Sequence, residues 1–258
     1  MAKRFFITGT TDGLGLAAAR SLQADGHEVV GHARSHRRAA EVRDRLAGAV
    51  VLIADLSSRA QTLELARQAD ASGPFDAVIH NAGVGYRERQ RIATPEGHAH
   101  LLAINVLAPY LLTATMRRPG RLIYTTSGMH KDGDGSLQDL DWTQRPWNGM
   151  QAYSDSKLFD TALGLAVARR WPQVLTTVVS PGWVPTKMGG PGASDDLSLA
   201  HVTQTWLASS DDPDATVTGK VLYHQREIVP AAVARSTRFQ DALLETLGGL
   251  TEVSLPAA

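Results

Sequence analysis

The sequence predicts an α/β fold in which a doubly wound, mainly parallel sheet carries helices on both faces. Short apolar runs alternate with stretches of helical periodicity along most of the 258 residues. The runs read as strands buried on both faces, which is what parallel strands joined by right-handed helical crossovers require. A chain of this length can bury a substantial core, and nothing in it calls for a second domain.

The strands fall in order at Arg4–Thr8, Glu28–His32, Ala49–Ile53, Phe75–His80, Arg121–Thr125 and Val174–Val179, and Thr218–His224 makes a seventh. Leu14–Gln23 has apolar residues at 14, 17, 18 and 22, with Gly26 placed to end the helix. A helix begins near Ser35, and Ser58-Arg-Ala-Gln61 is a capping-box pattern opening the next one. Thr94-Pro95 pairs an N-cap residue with proline at the first helical position, predicting a helix that runs on through Leu101, Leu102 and Ile104. Further helices are predicted over Tyr153–Arg169 and Phe239–Leu247. The expectation is a single domain over 1–258, with a substrate loop at about 183–200, mobile over Lys187–Asp196, and a strand–helix extension at about 217–258.

Lys and Arg total 26 and Asp and Glu total 26, so no overall charge gathers nucleic acid or a membrane surface. The absence of cysteine excludes disulfides, thiolate metal sites and cysteine nucleophiles, and fits a reducing compartment. Phe5-Phe6-Ile7 is too short for a signal-peptide core, and Asn105 and Pro109 interrupt Leu101–Met116, the longest relevant uncharged stretch. The reading is a soluble, cytoplasmic protein. Among nine histidines, His98 and His100 are two apart in a predicted helical stretch and do not face one another, so no metal site is expected.

In such a sheet ligands bind beyond the carboxyl ends of the strands. The first strand-to-helix turn reads Thr8-Gly9-Thr10-Thr11-Asp12-Gly13-Leu14-Gly15. Glycines there allow a tight turn and close approach of a pyrophosphate, and the following helix start offers amide donors with a partial positive charge. The turn resembles the TGxxxGxG signature of the compact short-chain dehydrogenases/reductases, and the resemblance continues along almost the whole chain. Asn81-Ala82-Gly83 follows the fourth strand, Asn105 lies in the next helix, Ser127 ends the fifth strand, Tyr153-Ser-Asp-Ser-Lys157 is similar to YxxxK, and Pro181-Gly182 follows the sixth strand.

The resemblance implies a nicotinamide dinucleotide held by Gly9, Thr11, Asp12, Gly13, Leu14, Gly15, Arg34, Asp55, Leu56, Asn81, Ala82, Gly83, Tyr153, Lys157, Pro181, Gly182, Val184 and Thr186. Asp55 would bind the adenine amino group and Asn81 would steady the sheet near the ribose. An acid at the end of the second strand accepts from a ribose 2′-hydroxyl, whereas arginine matches a 2′-phosphate. Ala33-Arg34, followed by Arg37 and Arg38, therefore points to NADP(H), with NAD(H) as the alternative. Asp12 departs from this pattern, because some NADP-preferring relatives carry a basic residue there.

Tyr153 and Lys157 are four apart and share one helical face. A free phenol titrates near pH 10, and an adjacent ammonium favours its ionised form, which brings proton exchange toward neutrality. Ser127, at a strand end, can donate to a substrate carbonyl and stabilise developing alkoxide charge; Thr126 is the neighbouring alternative. By resemblance, Lys157 also binds the nicotinamide ribose and Asn105 holds a water that connects Lys157 to solvent. The implied reaction is hydride exchange between nicotinamide and a carbonyl or alcohol.

The segment between Ser127 and Tyr153 resembles the retinol dehydrogenase and carbonyl reductase subgroup. Met129, Trp147 and, after Pro181-Gly182, Trp183 suggest an apolar ketone or aldehyde. The helix from Tyr153 is apolar around much of its circumference, so one face covers the sheet and the rest meets either a second copy, giving a homodimer or homotetramer, or the C-terminal region. The rival readings are a nucleotide-sensing regulator that kept only the fold, and an epimerase or dehydratase using the same cofactor transiently.

Overall fold

The computed structural model describes residues 1–258. One sheet runs in the order β3-β2-β1-β4-β5-β6-β7-β8, built from Arg4–Ile7 (β1), Glu28–Ala33 (β2), Val50–Ile53 (β3), Ala77–His80 (β4), Arg121–Thr125 (β5), Leu175–Ser180 (β6), Lys220–Tyr223 (β7) and Arg226–Glu227 (β8). The first seven strands are parallel and β8 is antiparallel. The helices are Gly13–Ala24 (α1), His36–Arg43 (α2), Arg59–Ala71 (α3), His100–Leu102 (α4), Ala108–Thr115 (α5), Gly149–Arg170 (α6), Val202–Ser209 (α7) and Thr237–Thr251 (α8). Strand order reverses between β1 and β4, and the crevice at that switch point is where such sheets take ligands.

Alternate residues of each strand feed opposite faces, which divides the interior into two apolar layers. Phe6, Val78, Leu122, Tyr124 and Val178 join α3, α5 and α6 in a layer of 35 buried residues. Phe5, Ile7, Ile79, Ile123 and Val179 join α1, α2 and α7 in a layer of 19. Burying each large side chain of these layers contributes roughly 1.5–3 kcal/mol.

Three expectations change. The sheet has eight strands rather than seven, because His224 and Gln225 both take left-handed backbone (φ 46° and 59°) and turn β7 into a two-residue hairpin. The glycine and asparagine that usually mark such a turn are missing, and the Gln225 amide is held instead by Thr203 Oγ1 at 3.0 Å. Thr94-Pro95 opens a tight turn rather than a helix. Gly97 sits at φ 90°, which no helix can pass through, and the helix starts at His100. His98 therefore lies outside any helix, paired with Asp141, while His100 is paired with Glu88. At Ser58 only half of the capping box forms: Ser58 accepts from the Gln61 amide, while Gln61 Oε1 takes the Asp55 amide instead.

The whole of α6 from residue 152 to 168 is buried within the one chain. Its outer side is covered by α8, with Phe159 stacked on Phe239 at 6.3 Å, so the C-terminal region covers this surface. The tail then crosses to Tyr110, whose hydroxyl donates to the Val253 carbonyl at 2.7 Å, and to Trp171, whose indole donates to the Pro256 carbonyl at 2.9 Å. No helix is long and apolar enough to cross a membrane.

Candidate active site

The turns after β1 and β4 are stitched together before any ligand is considered. Thr8 Oγ1 accepts from the Asn81 and Ala82 amides at 3.0 Å each, and Asn81 Nδ2 donates back to the Thr8 and Gly9 carbonyls at 3.0 and 3.2 Å. Gly9 adopts φ 74°, and a Cβ there would stand 2.9 Å from Ala82 Cα. A Cβ on Gly15 would stand 2.3 Å from the Gly9 carbonyl oxygen, so only glycine lets α1 start this close to the turn. Behind the turn, His32 Nδ1 accepts from the Gly9 amide at 3.1 Å and Nε2 donates to the Ala54 carbonyl at 2.9 Å. Burial is the main reason its pKa falls to about 4, so the ring is a neutral brace between β1 and β3.

Asp12 precedes α1 but does not cap it. Its Oδ2 accepts from Arg38 Nη2 and from Lys187 Nζ, both at 2.8 Å. Partial burial works against the carboxylate, yet these two hydrogen bonds prevail and hold Asp12 below the ordinary aspartate range. The first amides of α1, Gly13, Leu14 and Gly15, have no intrahelical acceptor and stand beside Thr11 at the crevice. Such a cradle suits a pyrophosphate, and the residues present fit a dinucleotide. At the ends of β2 and β3 Arg34 is exposed, Leu56 is buried, and Asp55 Oδ1 accepts from the Ser57 amide and hydroxyl at 3.0 and 2.8 Å.

On the other side of the crevice Tyr153 and Lys157 are each only 5% exposed. Asn148 opens α6 by accepting the Met150 and Gln151 amides at 3.1 Å, which fixes the helix on which both lie. Lys157 Nζ donates to the Thr125 carbonyl at 2.6 Å and lies 3.5 Å from Asp160 Oδ2. A Cβ on Gly83 would come within 3.3 Å of Asn105 Oδ1 and 3.8 Å of Lys157 Nζ, so the bare backbone there lets the asparagine and the ammonium gather. Asn105 sits in a π-helical turn, Ala103–Leu107, between α4 and α5. Its amide is fully engaged with Val84 N and O (2.9 and 3.1 Å) and with Ser156 Oγ (2.9 Å), bracing the strand-end loop against α6. Such π turns recur at functional sites. Ser127 lies two residues past the end of β5, and its oxygen accepts from the Met129 amide at 3.3 Å, leaving the hydroxyl proton free to donate. Thr126, the alternative, is buried and committed to Lys157 O and Thr161.

The loop after β6 closes over this crevice. Pro181 and Gly182 begin it, and Asp195 Oδ2 folds it back by accepting from the Trp183 amide at 2.8 Å and the Tyr223 hydroxyl at 3.2 Å. Val184 is buried, and a Cβ added to Gly13 would stand 3.9 Å from Thr186 Cγ2. Met188 meets the Tyr153 hydroxyl, which donates to its Sδ at 3.8 Å, so the phenol faces the crevice. Met129 and Trp147 pack against the same small apolar cluster as Tyr153, whereas Trp183 is 51% exposed and its indole donates to the Gly189 carbonyl. Sequence reasoning missed Met188, Tyr86, whose ring lies edge-on to Tyr153 at 5.7 Å, and Asp160. Of these only Asp160, three residues past Lys157, left a signal in the sequence. No group of His, Asp and Glu side chains is arranged to hold a metal ion.

Residues 3–196 match the family model described as short chain dehydrogenase. The chain is 40% identical to the short-chain dehydrogenase chyC of Penicillium rubens, over 98% of this chain and 99% of that protein. The retinol dehydrogenase likeness is more distant, at 28% identity to retinol dehydrogenase 14 of Mus musculus over 72% of this chain and 63% of that one. A crystal structure of an uncharacterized protein from Mycobacterium paratuberculosis superimposes with a TM-score of 0.85 at 24% identity, covering 98% of this chain and 95% of that one, and so shares the fold. Sheet, glycine turn and the matches along the chain's full length lead to one conclusion: the chain belongs to the short-chain dehydrogenase/reductase family and is an NAD(P)-dependent oxidoreductase.

Proposed function

We propose that the protein is an NADP(H)-dependent carbonyl reductase or alcohol dehydrogenase acting on an apolar ketone or aldehyde, with Tyr153, Lys157 and Ser127 as catalytic residues and Asn105 as their support. The observation that carries this reading is the burial of a phenol and an ammonium one helical turn apart at the strand-end crevice. When bound, the nicotinamide supplies or takes the hydride. Ser127 donates a hydrogen bond from its free hydroxyl to the substrate oxygen and polarises the carbonyl. Tyr153 delivers a proton to that oxygen in reduction and removes it in oxidation. Lys157, anchored by Thr125 O, keeps positive charge beside the phenol and is placed to hold the ribose. Gly9, Gly13, Gly15 and the start of α1 would cradle the pyrophosphate, and Arg34 would meet a 2′-phosphate. Met188 would withdraw from the Tyr153 hydroxyl for a substrate carbonyl to reach it, which makes the loop the gate.

The test is a panel of ketones and aldehydes followed by loss of NADPH or NADH absorbance, with the Tyr153→Phe variant alongside. Turnover in the variant falls by about 10²–10⁴ while NADPH still binds. Near-normal turnover rejects the assignment.

A further inference from the structure

We propose that Asp160 is a positioning residue for the Tyr153–Lys157 pair, its buried carboxyl competing with the phenol for the charge of the Lys157 ammonium; this rests on the catalytic reading of that pair. Asp160 lies on α6 three residues beyond Lys157, its side chain 3% exposed and its Oδ2 3.5 Å from Lys157 Nζ. A carboxyl that serves only to hold structure gathers donors. Asp155, on the same helix, does so, taking the Asp134 amide, Gln151 Nε2 and Arg145 Nη2 at 2.8 to 2.9 Å. Asp160 has no comparable set, and Lys157 is the one cation beside it. An asparagine or leucine would fill this space without the cost of burying an acid, so the charge itself is the distinguishing property.

The surroundings leave the pair to itself. On β5, Tyr124 is the other titratable group in electrostatic reach, its hydroxyl held by Thr113, with the neutral His80 of β4 tilted against its ring. The β6 strand and the π-helical turn carry no ionisable residue, and His100 of α4 is paired with Glu88. In the short helix after Ser127, His130 is bonded to the Ser127 carbonyl and the Ala231 amide, while Lys131 and Asp132 are exposed. On the outer side, Asp241 of α8 is paired with Arg169 and Arg170, and Arg235, Arg238 and Glu245 are exposed.

Burial lifts the Asp160 pKa, against the pull of Lys157, to about 7. At lower pH the carboxyl is neutral and the ammonium acts on Tyr153 alone. At higher pH the carboxylate draws on the same charge and holds the phenol protonated.

The test reads Tyr153 directly in the cofactor-free protein. Tyrosinate absorbance is followed against pH, and subtracting the Tyr153→Phe titration isolates the one residue. The same subtraction is made in an Asp160→Asn background. The Tyr153 midpoint is expected to fall by about one pH unit, roughly tenfold in the ionisation constant, and Asp160→Glu is expected to restore it. An unchanged or higher midpoint in a folded Asp160→Asn protein overturns the proposal. Should that variant not fold, Asp160→Ser, neutral and smaller, serves the same comparison. Activity with NADPH and the carbonyl panel keeps the two readings apart. Full turnover in Tyr153→Phe removes the catalytic reading and this proposal together, whereas an inactive Tyr153→Phe with an unmoved midpoint removes this proposal alone.

Discussion

Lys187 reaches from the loop after β6 to donate to Asp12 Oδ2 at 2.8 Å, joining residues 175 positions apart. Because the same oxygen takes Arg38, one carboxylate ties the loop, the glycine turn and α2 together. The Lys187 side chain is 82% exposed, so the contact adds little stability, about 0.5 kcal/mol or less. Its effect is on where the loop rests. Lys187→Ala is expected to leave the melting temperature within about 2 °C of wild type and to speed amide exchange across residues 184–190. Hydrogen exchange read by mass spectrometry checks this, and unchanged protection of the loop would count against the tie.

The arginines after β2 are not equivalent. Arg38 is committed to Asp12 and Glu41, whereas Arg34 is exposed and has no acidic partner. Arg34→Ala is expected to cut the ratio of kcat/KM for NADPH over NADH by about tenfold or more, the scale of a charge-assisted hydrogen bond to phosphate. An unchanged ratio assigns the preference elsewhere.

Two buried histidines make the fold acid-sensitive. Burial depresses His32 to about 4 and His80 to about 3, both below the ordinary 6.5. Between those limits the unfolded chain binds the extra protons, so each contribution is present above pH 6.5 and is lost as pH falls through the folded value. Asp160, raised above its ordinary value to about 7, acts in the opposite sense, binding its proton first in the folded state. Each histidine changes the slope of stability by about 1.4 kcal/mol per pH unit. Urea unfolding of His80→Gln between pH 4 and 6.5 should therefore show a shallower acid loss than wild type, and an identical slope would refute the buried-neutral assignment.

Asn105 is expected to matter for stability as well as for turnover. Asn105→Ala strands the Val84 amide and carbonyl, a loss of about 1–3 kcal/mol in urea unfolding. A variant as stable as wild type would show that these bonds are replaced by water.

The covered face of α6 sets the expectation for assembly. With Phe159 under Phe239 and Leu247 of α8 fully buried, the chain is expected to sediment as a single copy. Leu247→Asp should detach α8 and cause concentration-dependent association, which analytical ultracentrifugation detects. A stable dimer of the unaltered chain would place the contact elsewhere.

Strand runs and glycine turn were legible because they obey local rules: apolar continuity, φ above zero at Gly9, and a small residue where α1 starts. The Tyr153–Lys157 spacing was legible because four residues make one helical turn. The Thr94 helix failed since Gly97, two residues past the proline, takes a backbone closed to helices. The β7–β8 hairpin was hidden because His224-Gln225 relies on a distant hydroxyl, Thr203, rather than on its own turn chemistry. Met188 over Tyr153 and Lys187 on Asp12 depend on where a glycine-rich loop comes to rest, and no periodicity encodes that.

The two apolar layers of the sheet are unequal, 35 residues against 19, and the smaller one lies beneath α1 and the glycine turn. Fewer buried apolar side chains on that face lead to the expectation that α1 and α2 open locally at a lower free energy than α5 and α6. A dinucleotide docked at the crevice would meet α1 on one side and Lys157 of α6 on the other, so its RT ln(1 + [L]/Kd) would be shared by both. Bound dinucleotide is therefore expected to slow proteolysis of the whole chain, since one sheet carries both layers.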